Sequence, residues 1–466
     1  MKQYDLIVVG SGAGLIVVEN ALRHGLNVAL VDRGPLGGTC LNVGCIPSKI
    51  LIYPADRIME IRESKKLGIY AEIKDIDFRA VMERMQKTVR NGEKHVREGI
   101  KYSEGLDFYE GEGRFLNDRT LEVREEKIRG KKIVVASGAR PHIPPLTGVD
   151  SIEVLTNETV LQIDKKPESM VIVGGGYIAA EYAHFFDAMG VKVTLLQRNQ
   201  RLLPEEEPEI SALIKKTMGR RMQIYTNTEA TGISKLSSGI SVTARENTTG
   251  RPLTLEAERI MVAAGRKSNA DIMEVEKAGV ETDSRGYIKV NKYFETTGKN
   301  IWAFGDAIGK KMFRHVANKE ASVVWQNVVH DSKGSIDYLA APHAVFTYPE
   351  IASVGMTEEQ ASKKYYPHEI LIGRAGYSDV ARGEAMREGE AFAKAIVRKD
   401  TKGILGFHII GPHASILIQE IVNAMANNSD IWSIGKGMHI HPALSEVVIA
   451  TLGNLVEKAR QGPSPL

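Results

Sequence analysis

Hydrophobic and polar positions fall twice into the same succession. Near the start, the apolar run Asp5-Leu-Ile-Val-Val9 meets the glycine turn Gly10-Ser-Gly-Ala-Gly14. An apolar-rich stretch with helical spacing then reaches about His24, Gly25 stops it, and a second apolar run spans Val28–Asp32. About 164 residues later, Met170–Val173 meets Gly174-Gly-Gly-Tyr-Ile-Ala-Ala-Glu181, a helix ending near Gly190, and the strand Val191–Leu196. Strand, glycine turn, helix and strand make up the unit that binds a dinucleotide, and the chain carries it twice. A further echo supports the duplication. Ile133–Pro141 and Ile260–Asn269 each put a buried-type strand before a glycine turn, and each is expected to close its own nucleotide domain.

Between the two copies, Pro144-Pro145 and the stretch to Pro167 read as a linker. Ile301–Asp306 returns late to β character. From Pro342 onward the pattern becomes short strands with one helix candidate, Ile416–Ala426, and no phosphate-type turn. The expected class is α/β, with two Rossmann-like dinucleotide-binding domains at 1–148 and 149–269. A central part, 270–341, returns to the first of them, and a C-terminal α+β domain covers 342–466.

Composition narrows the partners. The 466 residues are ordinary for globular chains, and 61 basic against 58 acidic side chains is too even a balance for a nucleic-acid surface, so anions must be held locally. No apolar run reaches the roughly 18 residues that cross a bilayer. The opening Met1-Lys2-Gln3-Tyr4 runs straight into a strand without a signal-peptide pattern, so no membrane association and a cytoplasmic location are expected.

Chemistry gathers at four places. In the first glycine turn, Gly10, Gly12 and Gly14 let backbone approach a pyrophosphate at a helix N-terminus, and Asp32, 22 residues after Gly10, can accept from ribose hydroxyls. The third fingerprint position is Leu15, a bulky residue where helix and strand usually meet closely. The alternative is a glycine turn without a ligand. In the second copy Gly174, Gly176 and Ala179 complete the fingerprint, but Gln197-Arg198, with Arg201 close behind, replaces the usual acid. Arginine pairs with a 2′-phosphate that a carboxylate would repel, which favours NADPH over NADH. Surface arginines beside an NADH site remain the other reading.

The third place is Gly37-Gly-Thr-Cys-Leu-Asn-Val-Gly-Cys-Ile-Pro-Ser-Lys49, which holds the chain's only cysteines, Cys40 and Cys45. No further thiol exists to complete a thiolate cage, so dithiol redox cycling, with Lys49 favouring thiolate, is preferred to a metal site. The fourth is His439-Ile-His-Pro-Ala-Leu-Ser-Glu446, where a histidine and an acid five residues on can form a fixed general acid/base.

In this order, and with IWAFGDA, FRHVANKEA, AVFTYPEIASVG and ILGFHIIGP, these motifs resemble the FAD-dependent pyridine nucleotide-disulfide oxidoreductases over nearly the whole chain. The resemblance implies that Gly10, Gly12, Gly14 and Asp32 hold the adenosine part of FAD, and that Asp306 holds its ribityl chain. Lys49 and Glu181 would pair near the flavin ring. It adds Gly38, Thr39, Gly138, Ala317 and Gly265 to the cofactor contacts. It makes Cys45 the thiol against the flavin and Cys40 the thiol that meets substrate. Tyr177 resembles the tyrosine covering the nicotinamide pocket of glutathione reductase, with a merely packed aromatic as the alternative. The C-terminal domain would dimerise, sending His441, oriented by Glu446, into the partner's active site.

The implied activity is NADPH-dependent reduction of a low-molecular-weight disulfide, as in mycothione reductase, which the chain resembles in HVANKEA and in the missing third glycine. Mercuric reductases carry a further cysteine pair that is missing here. Two alternatives remain. One is a dihydrolipoyl dehydrogenase, using the same parts to oxidise a dithiol and docking on a 2-oxoacid dehydrogenase complex. The other is a flavin-bearing redox-sensing or scaffold protein with little turnover.

Overall fold

A computed structural model describes residues 1–330 and 332–458. The first sheet runs, in spatial order, Leu106–Glu110, Val28–Asp32, Lys2–Val9, Glu126–Val135, Thr120–Val123, Gly113–Asn117. Its inner strands are parallel and nearly continuous apolar runs buried on both faces, as helices covering both sides require. Strand Glu126–Val135 has two characters. Its first half pairs antiparallel with Thr120–Val123, and its second half pairs parallel with Ile301–Ala303, which brings the chain back to the first sheet.

The second copy forms a four-stranded parallel sheet, Gln223–Tyr225, Lys192–Leu196, Ser169–Val173, Arg259–Val262. A three-stranded antiparallel sheet over 228–257 is inserted before its last strand, an addition the sequence pattern did not reveal. The two echoed segments each supply a strand parallel to the first strand of their own unit, Glu126–Val135 in the interior of its sheet and Arg259–Val262 at the edge of the other. They then also pair with each other, Ala139–Pro141 running antiparallel to Arg266–Ser268, so a two-stranded ribbon joins the nucleotide units. The stretch expected to be a linker is anchored rather than free. Leu155, Val160 and Leu161 are buried in the second core, and Asn157 donates to the Val43 carbonyl at 3.0 Å.

The C-terminal sheet is six-stranded and antiparallel. Besides Ala414–Ala426 it carries Glu358–Lys364, Ala381–Met386, Ile431–Gly435 and Glu446–Gly453, where the pattern suggested one helix. Helices of five to eight residues are too short for a 3.6-residue period to stand out. Lys394 fastens this sheet to the second unit. Its ammonium is buried at 2.7 Å from Glu207, 2.6 Å from Glu209 and 2.7 Å from Glu358, so a lysine occupies the middle of the acidic cluster. Among the described residues, no helix is long and apolar enough to cross a membrane.

Candidate active site

The two glycine turns share one constraint. Gly10 and Gly174 have φ of +107° and +132°, and a Cβ on either would lie 2.2 Å from a carbonyl oxygen, that of Ala136 or Ala263. Only glycine fits there. The bulky Leu15 is accommodated because the close approach falls one residue earlier. A Cβ at Gly14 would sit 3.0 Å from Val8 Cγ1, whereas Leu15 packs half-buried against the core. At the end of the next strand Asp32 accepts from Ser11 N–H at 2.5 Å and Gly34 N–H at 2.7 Å, which fixes both carboxylate oxygens at the cavity wall.

That cavity, about 680 Å³, collects Gly10, Gly12, Asp32, Gly38, Thr39, Cys40, Cys45, Lys49, Gly138, Tyr177, Glu181, Asp306 and Ala317. It fits a large polar ligand. Of the eight buried side-chain polar atoms without a hydrogen-bond partner among the described residues, four belong to its lining: Ser137 Oγ, Tyr182 OH, Arg266 Nε and Asn318 Oδ1. Groups of this kind are costly to leave unsatisfied, and a ligand rich in hydroxyls, phosphates and ring nitrogens supplies their partners. Burial raises the Asp306 carboxyl, against the pull of Arg266, whose Nε stands 3.5 Å away.

The dithiol spans two helices. Cys40 lies in the short helix Gly38–Asn42, and Cys45 is the first residue of Cys45–Glu63, where amide dipoles favour an anion. The two thiols share a hydrogen bond that separates them electrically. It is the main reason that Cys45 is lowered to about 7, with help from Lys49 and against burial. Cys40 is driven upward by the same bond and by burial, with Arg314 opposing. In the reduced pair the negative charge therefore rests on Cys45, and Cys40 keeps its proton.

Lys49 sits one turn along that helix, and its Nζ reaches both Glu181 oxygens at 2.8 and 2.7 Å. Glu181 also accepts the Phe346 N–H at 3.0 Å, while Lys49 lies over the Phe346 ring at 4.5 Å. First unit, second unit and C-terminal domain thus meet at one ion pair beside the sulfurs. Tyr177, first residue of the helix that carries Glu181, faces Phe313 at 5.7 Å, and burial pushes its phenol up to about 12.

The remaining predicted residues lie elsewhere. Gly174, Gly176, Ala179 and Gly265 belong to the second unit, outside this cavity. Arg201 is engaged by the C-terminal domain, its two terminal nitrogens 2.9 and 3.0 Å from Glu359. Arg198 is exposed, with no side-chain partner among the described residues. His441 and Glu446 face solvent on the C-terminal domain, His441 Nδ1 at 2.8 Å from Glu446 Oε1. The Ala443 N–H, foremost, and His441 hold the Glu446 carboxyl down. No histidine of the FRHVANKEA or HIHPALSE segments other than His315 lines the dithiol cavity. Sequence reading had given no role to Ser137, Arg266, Arg314, Asn318 or Phe346; Arg314 and Asn318 lie inside FRHVANKEA, the one signal that pointed towards them.

Comparison with known proteins agrees with this geometry. Residues 4–321 match the family described as pyridine nucleotide-disulphide oxidoreductase, and residues 341–451 match its dimerisation domain. Mycothione reductase of Mycobacterium tuberculosis is 34% identical over 464 residues, covering 96% of this chain and 98% of its own length. Dihydrolipoyl dehydrogenase of Bacillus subtilis is 32% identical, covering 96% of each chain. The HOCl-induced flavoprotein disulfide reductase RclA of Escherichia coli superposes with a TM-score of 0.85 at 26% identity, covering 97% of this chain and 99% of its own. With a paired-thiol centre, a large cavity that presents orphaned polar atoms and these matches across nearly its full length, the chain belongs to the pyridine nucleotide-disulphide oxidoreductases, enzymes that use FAD and NAD(P)H.

Proposed function

We propose that the protein reduces a small disulfide with NADPH, in the cytoplasm, as a homodimer whose two sites each combine the dithiol of one chain with the His441–Glu446 pair of the other. The carrying observation is the inequality of the sulfurs. Cys40 is held protonated and needs a base, yet the imidazole best arranged to serve stands exposed and outside the cavity of its own chain.

When bound, FAD supplies the two-electron relay between the nicotinamide and the Cys40–Cys45 disulfide. The protein's own residues do the rest. The partner's His441 takes the Cys40 proton, and the Cys40 sulfur attacks one sulfur of the substrate, forming a mixed disulfide and expelling a thiolate. The imidazolium protonates that thiolate, which would otherwise attack back. Cys45 thiolate then attacks Cys40, the second thiolate leaves and takes a proton from solvent, and the internal disulfide closes. NADPH, one proton and a disulfide become NADP⁺ and two thiols. Lys49, neutralised by Glu181, keeps a positive end beside Cys45 throughout.

Arg198 supports the choice of NADPH, being the exposed cation at the end of the second unit's inner strand where Gln197 stands instead of an acid. The test is turnover with NADPH and NADH against oxidised thiols, mycothione first, together with NAD reduction by dihydrolipoamide. Fast NAD reduction with poor use of NADPH would make this a dihydrolipoyl dehydrogenase, with docking on a 2-oxoacid dehydrogenase complex the next question. No thiol turnover at full flavin content would make it a redox-sensing scaffold. A Gln197→Glu, Arg198→Leu variant should shift preference towards NADH by about 1–3 kcal/mol. An unchanged preference would refute phosphate pairing at Arg198.

A further inference from the structure

The cavity contains four arginine or lysine side chains, and three of them face a carboxylate: Arg33 with Glu112 at 3.1 Å, Lys49 with Glu181 at 2.7 Å, Arg266 with Asp306 at 3.5 Å. The fourth, Arg314, is half-buried and has no hydrogen-bond or ion-pair partner among the described residues. Withdrawing a guanidinium from water without an anion is unfavourable, so the site is built for one that arrives from outside.

Its position says which. A terminal nitrogen of Arg314 lies 3.8 Å from where a Cβ on Gly12 would be, and the Gly38 Cα is 3.9 Å from the same point. Gly12 belongs to the turn that opens the helix Gly14–Arg23, the end where a dinucleotide's phosphates are received. That helix has no acidic or basic residue in its first turn, and its amide dipole offers about half a positive charge against the two negative charges of a pyrophosphate diester. Asp32, a carboxyl group held by backbone N–H groups with no cation paired to it among the described residues, lines the same cavity. A full cation is required, and Arg314 is the one of the four without a carboxylate partner among the described residues. One helical turn on, Asn318 presents an orphaned buried Oδ1 to the cavity, an acceptor for a ligand hydroxyl.

We propose that Arg314 is a cofactor-binding residue of this chain, its guanidinium pairing with the pyrophosphate of FAD opposite Gly12. The inference rests on the reading of the cavity as the FAD site.

The test measures flavin binding rather than turnover. Apoprotein from wild type, Arg314→Gln and Arg314→Lys would be titrated with FAD by fluorescence, and flavin release from each holoenzyme followed at rising salt. A charged hydrogen bond to phosphate predicts about ten- to a hundredfold weaker FAD binding for Arg314→Gln, with a flatter salt dependence. Arg314→Lys should recover part of the loss, because it keeps the charge without the fork. If Arg314→Gln does not fold, Arg314→Lys decides alone: weaker FAD binding at unchanged apoprotein stability supports the pairing, and wild-type affinity overturns it. FAD affinity within twofold of wild type in Arg314→Gln overturns the proposal. So does a raised KM for an anionic disulfide with flavin affinity intact, which would assign the cation to substrate. A wild-type chain that takes up no FAD overturns the cavity reading and this inference together.

Discussion

Replacing Cys40 by alanine should raise the Cys45 thiol. The Cys40 hydrogen bond is the largest influence holding it near 7, and without it Lys49 and the backbone amide at the helix start are left to work against burial. The Cys45 sulfur opens onto the cavity, where water screens part of any lost interaction. The titration midpoint should therefore move up by about one to two pH units rather than further. At pH 7 the thiolate fraction falls from about a half to about 1–10%. A less acidic thiol is also a better nucleophile, by about threefold per pH unit, so the alkylation rate at that pH falls only about two- to sixfold. A single-pH rate would understate the change; the midpoint is the quantity to measure.

Ultraviolet thiolate absorbance measured against pH gives that midpoint directly, because either variant leaves one cysteine in the chain. Cys40→Ser is the matched control. Its hydroxyl still donates, so its midpoint should stay near the wild-type 7, and the thiolate should be lost as pH falls through that value. Coincident curves for Cys40→Ala and Cys40→Ser would refute the argument and transfer the effect to Lys49 and the helix N-terminus.

Shared sites predict that two inactive variants rescue each other. A Cys40→Ser chain co-expressed with a His441→Ala chain should yield heterodimers with one intact site and about a quarter of wild-type activity at random mixing, whereas sites complete within one chain would give none. The Lys49–Glu181 pair should break asymmetrically, since the Lys49 side chain is 34% exposed and Glu181 only 5%. Lys49→Met strands a buried carboxylate and should cost about 3–5 kcal/mol in chemical unfolding, whereas Glu181→Gln leaves a cation that can turn to water and should cost clearly less; equal losses would disprove the difference in burial cost.

What sequence made legible was local. The glycine turns, the two cysteines five positions apart and the histidine–glutamate pair each lie within one short segment, and fixed spacing brings them together whatever the rest of the chain does. Contacts made across the fold were not legible. Arg201 reads as a free cation until Glu359, 158 residues on, engages it. Nothing in the order of residues announces that Phe346 hands its amide to Glu181, or that Arg314 stands over Gly12. Leu15 looked like a flaw because the fingerprint assigns close helix–strand contact by position, while here that contact falls on Gly14.

Duplication explains why one scaffold serves two ligands. Both copies keep the same first glycine against the same kind of carbonyl, so both present a helix N-terminus to phosphate. They part company at the end of the next strand. Asp32 is held by two backbone N–H groups with its oxygens at the cavity, an arrangement suited to ribose hydroxyls. Gln197, its counterpart, is buried beneath Gly175, where an added Cβ would strike its side chain at 2.6 Å, and its amide is spent on the Arg201 carbonyl at 3.3 Å. No carboxylate is then left at that strand end to repel a phosphate, and Arg198 stands exposed beside it. An amide in place of an acid at this one position removes the repulsion that a carboxylate would exert on a 2′-phosphate, which is the physical basis of the proposed use of NADPH.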